Sequence, residues 1–208
     1  MINFFLNDKK VTAEDQDTIW TVAKKNGIVL PHLCFADKPG YRADGNCRAC
    51  MVSIDGERVL AASCIRKPTE GMKVYTEDEK SSKSRKMVLE LLVTDQPVKQ
   101  DCHDPDSHFW KMAEKVNVSE SRFDKREKSE VPHSDNSHVA MAVNLDACIH
   151  CNLCVRACRE VQSNDVIGMG SRGHTSKVIF DFNDPMGDST CVSCGECVQA
   201  CPTGALME

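Results

Sequence analysis

The sequence predicts an α+β protein built from three consecutive parts. These are a small β-rich domain over residues 1–78, a connector over residues 79–138 that is helical as far as about residue 118, and a compact segment over residues 139–208. Turn signals between short apolar runs predict the strands of the first part. Eight of the thirteen cysteines fall in the last part as two copies of one spacing, which is an internal repeat.

The first part begins with a strand, a turn and a helix. A strand over Ile2–Leu6 is followed by a turn over residues 7–10 and a second short strand near Val11. Asp17 or Thr18 is suited to cap the helix that follows. The apolar face and the end of that helix are marked by Ile19, Val22, Ala23 and Gly27.

A hairpin and a last strand complete the first part. Asp55-Gly56 separates two candidate strands at residues 51–54 and 58–61, which is a strong hairpin signal. Residues 72–75 supply the last strand. Two strands, one helix and then further strands resemble the β-grasp pattern of [2Fe–2S] ferredoxins.

The connector starts with two amphipathic helices. Residues 83–93 form the first helix, which Pro97 ends. Asp106 or Ser107 caps the second, whose apolar residues follow the i, i+3, i+4, i+7 rule. That stripe consists of Phe109, Met112, Ala113 and Val116. We expect it to pack between the two cysteine-rich domains rather than to bind a cofactor.

The rest of the connector, residues 119–138, is polar and contains charges of both signs. It cannot bury a core alone, so we expect it to lie over a neighbouring domain or subunit. Its charged residues are Glu120, Arg122, Asp124, Lys125, Arg126, Glu127, Lys128, Glu130 and Asp135.

Thirteen cysteines in 208 residues require disulfides, zinc or iron–sulfur clusters. The first residues contain no basic region, apolar stretch or cleavage site of a secretion signal, so we expect a reducing, cytoplasmic setting with free thiolates. The odd cysteine count also disfavours a closed disulfide framework. A net charge of −5 without a basic stripe argues against nucleic acid. The best apolar run, residues 87–93, is too short to span a membrane.

The C-terminal repeat has the cysteine spacing of bacterial ferredoxins. Each copy reads C-x2-C-x2-C-x3-C, and in this pattern the fourth cysteine ligates the cluster of the other copy. Zinc sites instead pair C-x2-C with a distant second pair. The spacing therefore predicts a 2[4Fe–4S] ferredoxin-like domain with two ligand sets. The first set is Cys148, Cys151, Cys154 and Cys201, and the second is Cys158, Cys191, Cys194 and Cys197.

The repeat departs from the bacterial pattern in two ways. Arg159 follows the first copy where the pattern has proline, whereas Pro202 follows the second copy and is expected in the first turn of a short helix opened by the fourth cysteine. The gap between the copies is long and contains a candidate strand at residues 178–180, so we expect an extra hairpin there. His150, between two ligands, is either a donor to the cluster or an ordinary surface or packed histidine.

A second cysteine pattern lies in the first part and predicts a [2Fe–2S] site. Its middle C-x2-C matches plant-type ferredoxins, although the first gap is wider and the last is shorter. Gly45 permits the loop before it to turn towards inorganic sulfur. The alternative to a cluster is four buried free thiols, which is disfavoured because Cys47 and Cys50 lie in a polar loop. The predicted ligands are Cys34, Cys47, Cys50 and Cys64.

The cysteine segments resemble one family in detail. Residues 40–52, GYRADGNCRACMV, and 56–64, GERVLAASC, are similar to the N-terminal iron–sulfur region of the α subunit of NAD-dependent molybdenum or tungsten formate dehydrogenases. Residues 148–158 and 191–207 resemble the same region. More distantly, the layout is similar to the diaphorase small subunit of NAD-reducing hydrogenases and the large iron–sulfur subunit of complex I.

The resemblance implies an iron–sulfur electron-relay subunit with one [2Fe–2S] and two [4Fe–4S] clusters. Its expected partners are a flavin/NAD-binding subunit and a catalytic molybdopterin subunit, or a hydrogenase subunit as the alternative. Because the sequence ends at Glu208 without pterin domains or a nucleotide-binding glycine motif, we expect a separate small subunit. We expect no catalytic residue and no catalysis by the isolated chain. A redox sensor is disfavoured because no effector domain is visible.

One feature of the distant relatives is missing. They place a third [4Fe–4S] cluster, ligated by one histidine and three cysteines, between the two domains. Here Gln96 precedes Pro97 in place of that histidine, and only Cys102 follows. We therefore predict no third cluster. Cys102, His103 and His108 are interpreted as a free thiol with surface histidines, or as an adventitious metal site.

Overall fold

A computed structural model of the chain describes residues 1–125, 127 and 131–208. Part of the predicted polar connector, namely Arg126, Lys128, Ser129 and Glu130, lies outside the described residues.

Within the described residues, the first part of the chain forms one mixed sheet of five strands. The strands are β1 (Ile2–Leu6), β2 (Lys9–Ala13), β3 (Met51–Ile54), β4 (Ala61–Ala62) and β5 (Lys73–Tyr75). Their order is β2-β1-β5-β3-β4. Strands β1 and β5 pair in parallel, whereas β1–β2, β3–β5 and β3–β4 are antiparallel. The predicted β-grasp arrangement of strands around one helix is therefore confirmed.

Helix α1 (Ile19–Lys25) covers this sheet and begins at a capping box. The Thr18 side chain accepts a hydrogen bond from the Thr21 backbone, and the Thr21 side chain accepts one from the Thr18 backbone. Gly27 follows the helix with a φ of 76°, as glycine beyond a helix end commonly does. The helix buries Ile19, Trp20, Val22 and Ala23 against the sheet.

Two strand boundaries differ from the prediction. The turn between β1 and β2 occupies Asn7 and Asp8 alone, both with positive φ, so Lys9 and Lys10 belong to the strand. Such a two-residue turn matches the twist of a hairpin. After Asp55-Gly56 the returning strand starts at Ala61 rather than Arg58, because β4 pairs only Ala61 and Ala62 with β3.

The connector supplies helices α2 (Glu79–Thr94) and α3 (His108–Lys115), which start at the caps Asp78 and Ser107. Helix α2 starts four residues before the predicted position, where the Asp78 carboxylate accepts a hydrogen bond from the Ser81 backbone. The two helices enclose a separate apolar core with residues of the first domain. That core comprises Leu33, Ala49, Leu89, Val93, Phe109, Trp110, Ala113 and Val118. Ile149 of the C-terminal part also packs on this core. The prediction that the apolar stripe packs between the two cysteine-rich parts is therefore confirmed.

The C-terminal part has little regular structure. Strands β6 (Ala142–Val143) and β9 (Leu206–Met207) pair at its ends, and β7 (Ile167–Gly170) pairs with β8 (Lys177–Phe180) as the predicted extra hairpin. Helices α4 (Leu153–Arg156) and α5 (Glu196–Ala200) are short, and a π-helical turn, Ala157–Val161, extends α4. Short 3₁₀ turns lie at Leu145–Ala147, Gly173–Thr175 and Met186–Asp188.

The prediction that the fourth cysteine of the second copy opens a short helix is wrong. Helix α5 starts one residue before the third cysteine and ends at Ala200, so Cys201 follows it with extended backbone. Pro202 explains this end, because proline disfavours helical geometry in the residue before it.

The predicted position of the polar connector is confirmed where it is described. Asp135 pairs with Val143 through two backbone hydrogen bonds, and its carboxylate accepts a hydrogen bond of 2.7 Å from the Met186 backbone. This end of the connector therefore lies on the C-terminal part. None of the helices in the described residues has the length and apolar character needed to cross a bilayer.

Candidate iron–sulfur centres

Four cysteines of the first domain meet at one point. Cys34, Cys50 and Cys64 are at most 1 % exposed, and Cys47 is half-buried. Cys34 interacts with both Cys47 and Cys64, and Cys64 also interacts with Cys50, so the four thiols form a continuous set. These are the four residues predicted to ligate a [2Fe–2S] cluster, and the fold brings all of them together.

The closeness of these thiols separates their pKa values. Hydrogen bonds from Cys47, then from Cys64, lower the pKa of Cys34 to about 2. A hydrogen bond to Cys34 raises the pKa of Cys47, and another to Cys34 raises that of Cys64. A hydrogen bond from Cys64 lowers the pKa of Cys50 to about 7. Four thiolates at this spacing repel each other, and a cation-containing group such as iron removes that repulsion.

The loop that contains the middle C-x2-C directs backbone N–H groups at sulfur. The Cys47 N–H donates to the Cys34 sulfur at 3.3 Å, and the Ala49 N–H approaches the Cys47 sulfur at 3.5 Å. Arg48 and Gly45 have φ angles of 58° and 67°, which turn the chain sharply on both sides of Cys47. Such N–H donors stabilise the negative charge of a cluster thiolate.

The eight C-terminal cysteines line two separate narrow cavities. One is lined by Cys148, Cys151, Cys154 and Cys201, together with apolar residues such as Leu145 and Leu206. The other is lined by Cys158, Cys191, Cys194 and Cys197, together with Met141, Val166 and Ile167. Each cavity thus takes three cysteines from one copy and the fourth from the other copy, which is the crossed grouping that the spacing predicts.

The two copies have the same local geometry. The backbone N–H of His150 approaches the Cys148 sulfur at 3.4 Å. The backbone N–H of Ser193 approaches the Cys191 sulfur at the same distance of 3.4 Å. His150 and Ser193 have positive φ, and so do Asn152 and Gly195, which precede the helices. These left-handed residues wrap three cysteines around one cavity. The His150 N–H makes the same contact as the Ser193 N–H, so the two roles considered for the His150 side chain both stay open.

Burial and mutual repulsion act on the thiols in both cavities. Burial raises the pKa of Cys151, and nearby thiols including Cys34 of the first domain raise it further. Burial also raises the pKa of Cys197 to about 12. The pKa of Cys154 is raised by burial and then by neighbouring thiols, among them Cys197 of the other set. Cys34, Cys151 and Cys197 belong to one buried cluster against which Cys154 packs, so the three sets lie beside one another.

The donor sets fit iron–sulfur clusters. Each consists of four cysteines, which is the ligand set of both [2Fe–2S] and [4Fe–4S] centres. The apolar walls and the N–H groups aimed at sulfur are the surroundings that hold such clusters and adjust their potentials.

Protein contacts are made by the residues of the segment where the distant relatives place a third cluster. Gln96 is buried and donates a hydrogen bond of 2.9 Å to the carbonyl of Ala147, next to Cys148. Cys102 donates to the Lys99 carbonyl, His103 contacts Asp146, and His108 contacts the carbonyl of His32.

Sequence reasoning missed the contacts between the first domain and the repeat. Arg156 forms an ion pair with Asp44, and Tyr41 donates a hydrogen bond of 2.7 Å to Glu196. One signal was available. The copies read CVRAC at residues 154–158 and CVQAC at residues 197–201, so an arginine in the first replaces a glutamine in the second.

Two protein families match parts of this chain. Residues 1–79 match the 2Fe-2S iron-sulfur cluster binding domain, and residues 147–205 match the 4Fe-4S dicluster domain. The chain therefore carries one domain of each kind.

Relatives of three kinds align with almost the whole chain. The NADP-reducing hydrogenase subunit HndD of Solidesulfovibrio fructosivorans is 32 % identical, over 100 % of this chain and 36 % of its own length. An NADH-quinone oxidoreductase protein of Rhizobium meliloti is 30 % identical, over 100 % of this chain and 24 % of its own length. A putative formate dehydrogenase of Staphylococcus haemolyticus is 26 % identical, over 89 % of this chain and 18 % of its own length. The chain thus spans about a third or less of these relatives.

A solved structure has the same fold. A chain in the crystal structure of an NAD⁺-reducing [NiFe]-hydrogenase in the H₂-reduced state superposes with a TM-score of 0.88 at 26 % identity, over 99 % of this chain and 86 % of that chain. The arrangement of the 2Fe-2S and 4Fe-4S domains is therefore shared with that hydrogenase chain.

Proposed function

We propose that this chain is an electron-transfer subunit of an NAD-linked oxidoreductase, with one [2Fe–2S] and two [4Fe–4S] clusters. The observation that supports this most strongly is the grouping of twelve cysteines into three sets of four, each of the composition that such clusters need. When bound, such clusters accept and donate single electrons without making or breaking substrate bonds. The remaining cysteine, Cys102, is not a ligand in this proposal.

The protein's own contribution is to hold three sites in sequence and to control their surroundings. The set of Cys34, Cys47, Cys50 and Cys64 neighbours Cys151, and Cys154 neighbours Cys197. Backbone N–H groups directed at sulfur favour the reduced, more negative state of each centre. Plant-type [2Fe–2S] centres have reduction potentials of about −400 mV, which suits one-electron exchange with a flavin.

One end of this relay meets the surface. Cys194 is exposed, and its neighbour Val192 is 62 % exposed. We place the contact with one redox partner there, beside the second [4Fe–4S] site.

The catalytic partner is either a molybdopterin formate dehydrogenase subunit or a hydrogenase subunit, with a flavin/NAD subunit as the other partner. The motif resemblance in residues 40–64 supports formate dehydrogenase. The hydrogenase subunit at 32 % identity and the hydrogenase structure support the alternative to at least the same degree.

Purification of the native complex from its source, followed by metal analysis and identification of its chains, decides between them. Molybdenum or tungsten in a complex that oxidises formate supports the first partner, and nickel in a complex that oxidises H₂ supports the second. A chain that purifies alone, without a flavin or catalytic subunit, would contradict the proposed role.

A further inference from the structure

The guanidinium group of Arg156 lies between two of the proposed cluster sites. Its side chain is 2 % exposed, the least accessible of the charged side chains in the described residues. It comes from helix α4, between the third and fourth cysteines of the first copy. At the equivalent position of the second copy, Gln199 is exposed.

One nitrogen of Arg156 joins the main chains of two ligands. Its Nη2 donates to the carbonyl of Cys34, in the two-iron set, at 2.6 Å. The same nitrogen is 3.4 Å from the carbonyl of Cys151, in the first four-iron set. Because both carbonyls belong to predicted ligands, this group links the backbones of the two sites directly.

The hydrogen bonds of Arg156 leave one of its N–H groups without a partner. Its Nη1 pairs with the Asp44 carboxylate, in a network in which the exposed Arg42 contacts both Asp44 and Glu160. The Nε of Arg156, also buried, has no hydrogen-bond partner among the described residues. Burying a guanidinium group with an unpaired N–H is costly, and the negative charge of two neighbouring clusters would offset that cost.

We propose that Arg156 is a positioning residue that fixes the separation of the [2Fe–2S] site and the first [4Fe–4S] site and supplies positive charge between them. This rests on the proposed function, since it assigns a role to a residue of the same relay. The positive charge favours the reduced state of both neighbouring sites, because reduction adds negative charge.

The charge component is tested by potentials of the [2Fe–2S] centre, measured by redox titration with EPR detection. Arg156→Gln introduces the residue of the second copy and should shift the midpoint potential to a more negative value. Asp44→Asn should shift it to a more positive value. Arg42→Gln is the matched control: it removes a partner of the same carboxylate, but that arginine is 62 % exposed and screened by solvent, so little shift is expected. Shifts of the same sign in the first two variants, or none, would overturn the charge component.

The positioning component is tested by Arg156→Lys, which keeps the charge but cannot reach both carbonyls and the carboxylate at once. The variant should retain most of the wild-type potential and lose magnetic interaction between the reduced [2Fe–2S] centre and its neighbour in EPR spectra. Unchanged interaction would refute positioning. The wild-type spectra keep the two proposals separate: without both cluster types the proposed function fails, whereas normal spectra with insensitive variants reject only the role of Arg156.

Discussion

At the residue scale, the roles of individual cysteines depend on their neighbours. Cys151 is buried with Cys148, Cys154 and Cys201 around one cavity, whereas Cys102 donates to a backbone carbonyl of its own segment. Burial raises the pKa of Cys102 as it raises that of Cys151, so the cavity and its lining cysteines, and not the thiol pKa, distinguish their roles.

This difference predicts the outcome of two serine substitutions. Cys151→Ser should lose one [4Fe–4S] cluster, because a serine hydroxyl replaces a thiolate ligand. Cys102→Ser is the matched control and should keep the full iron content. Iron analysis and visible absorption after anaerobic purification measure both. Iron loss in Cys102→Ser would show that Cys102 is wrongly excluded from the cluster ligands.

A second prediction concerns Gly187, under the end of the polar connector. A Cβ atom at Gly187 would lie 2.4 Å from the Ser137 carbonyl oxygen, a backbone atom that cannot move alone. Gly187→Ala should therefore displace residues 135–138 and expose their amides to hydrogen exchange. Gly168→Ala is the control, since its Cβ would meet nothing closer than 4.0 Å. Equal exchange in both variants would mean that the connector does not pack there.

At the element scale, helix α2 depends on its cap for both its start and its attachment to the sheet. The Asp78 carboxylate accepts a hydrogen bond of 3.3 Å from the Ser81 backbone and one of 2.7 Å from the Ser53 hydroxyl on β3. Burial raises the pKa of Asp78, but these hydrogen bonds outweigh it and the pKa is lowered overall. The stabilisation is present above the pKa of the unfolded chain and is lost as pH falls through the lowered value.

Asp78→Ala should accordingly reduce the free energy of unfolding by about 1 kcal/mol at neutral pH. Denaturant unfolding followed by circular dichroism measures this. Glu79→Ala, in the first turn of the same helix, is the control and should cost less. A smaller loss for Asp78→Ala than for Glu79→Ala would contradict the assigned cap.

The elements also show which features local sequence determines. Strand β1, helix α1 and the β7–β8 hairpin were predictable, because apolar spacing, caps and turn residues act over a few neighbours. The start of β4 was not, because pairing with β3 sets it, whereas the end of α5 follows from the local effect of Pro202, which the prediction placed inside a helix. The crossed grouping of cysteines was predictable since spacing alone encodes it. The link from Arg156 to Cys34 was not, because it joins residues 122 positions apart.

At the scale of the whole molecule, we expect the C-terminal part to depend on bound clusters for folding. Its helices α4 and α5 have four and five residues, far below the length at which isolated helices persist. Its core is built around the ligand cysteines themselves. The first domain instead has an apolar core over its sheet, which includes Phe4, Leu6, Val22 and Val74.

Removal of iron should therefore affect the two ends unequally. Chelation under reducing conditions should abolish amide protection in residues 139–208 and leave β1 and β5 largely protected, because metal binding and folding are coupled in the C-terminal part. Hydrogen exchange with mass spectrometry resolves the two regions. Retained protection across residues 148–201 in the iron-free chain would contradict this dependence.

The metal content and EPR spectrum of the chain purified without oxygen decide whether the three cysteine sets hold clusters. We expect about ten irons per chain with matching inorganic sulfide, from one two-iron and two four-iron centres. Reduction should produce signals of both cluster types. A colourless preparation, or one in which zinc replaces iron, would contradict the assignment of all three cysteine sets and the relay built on them.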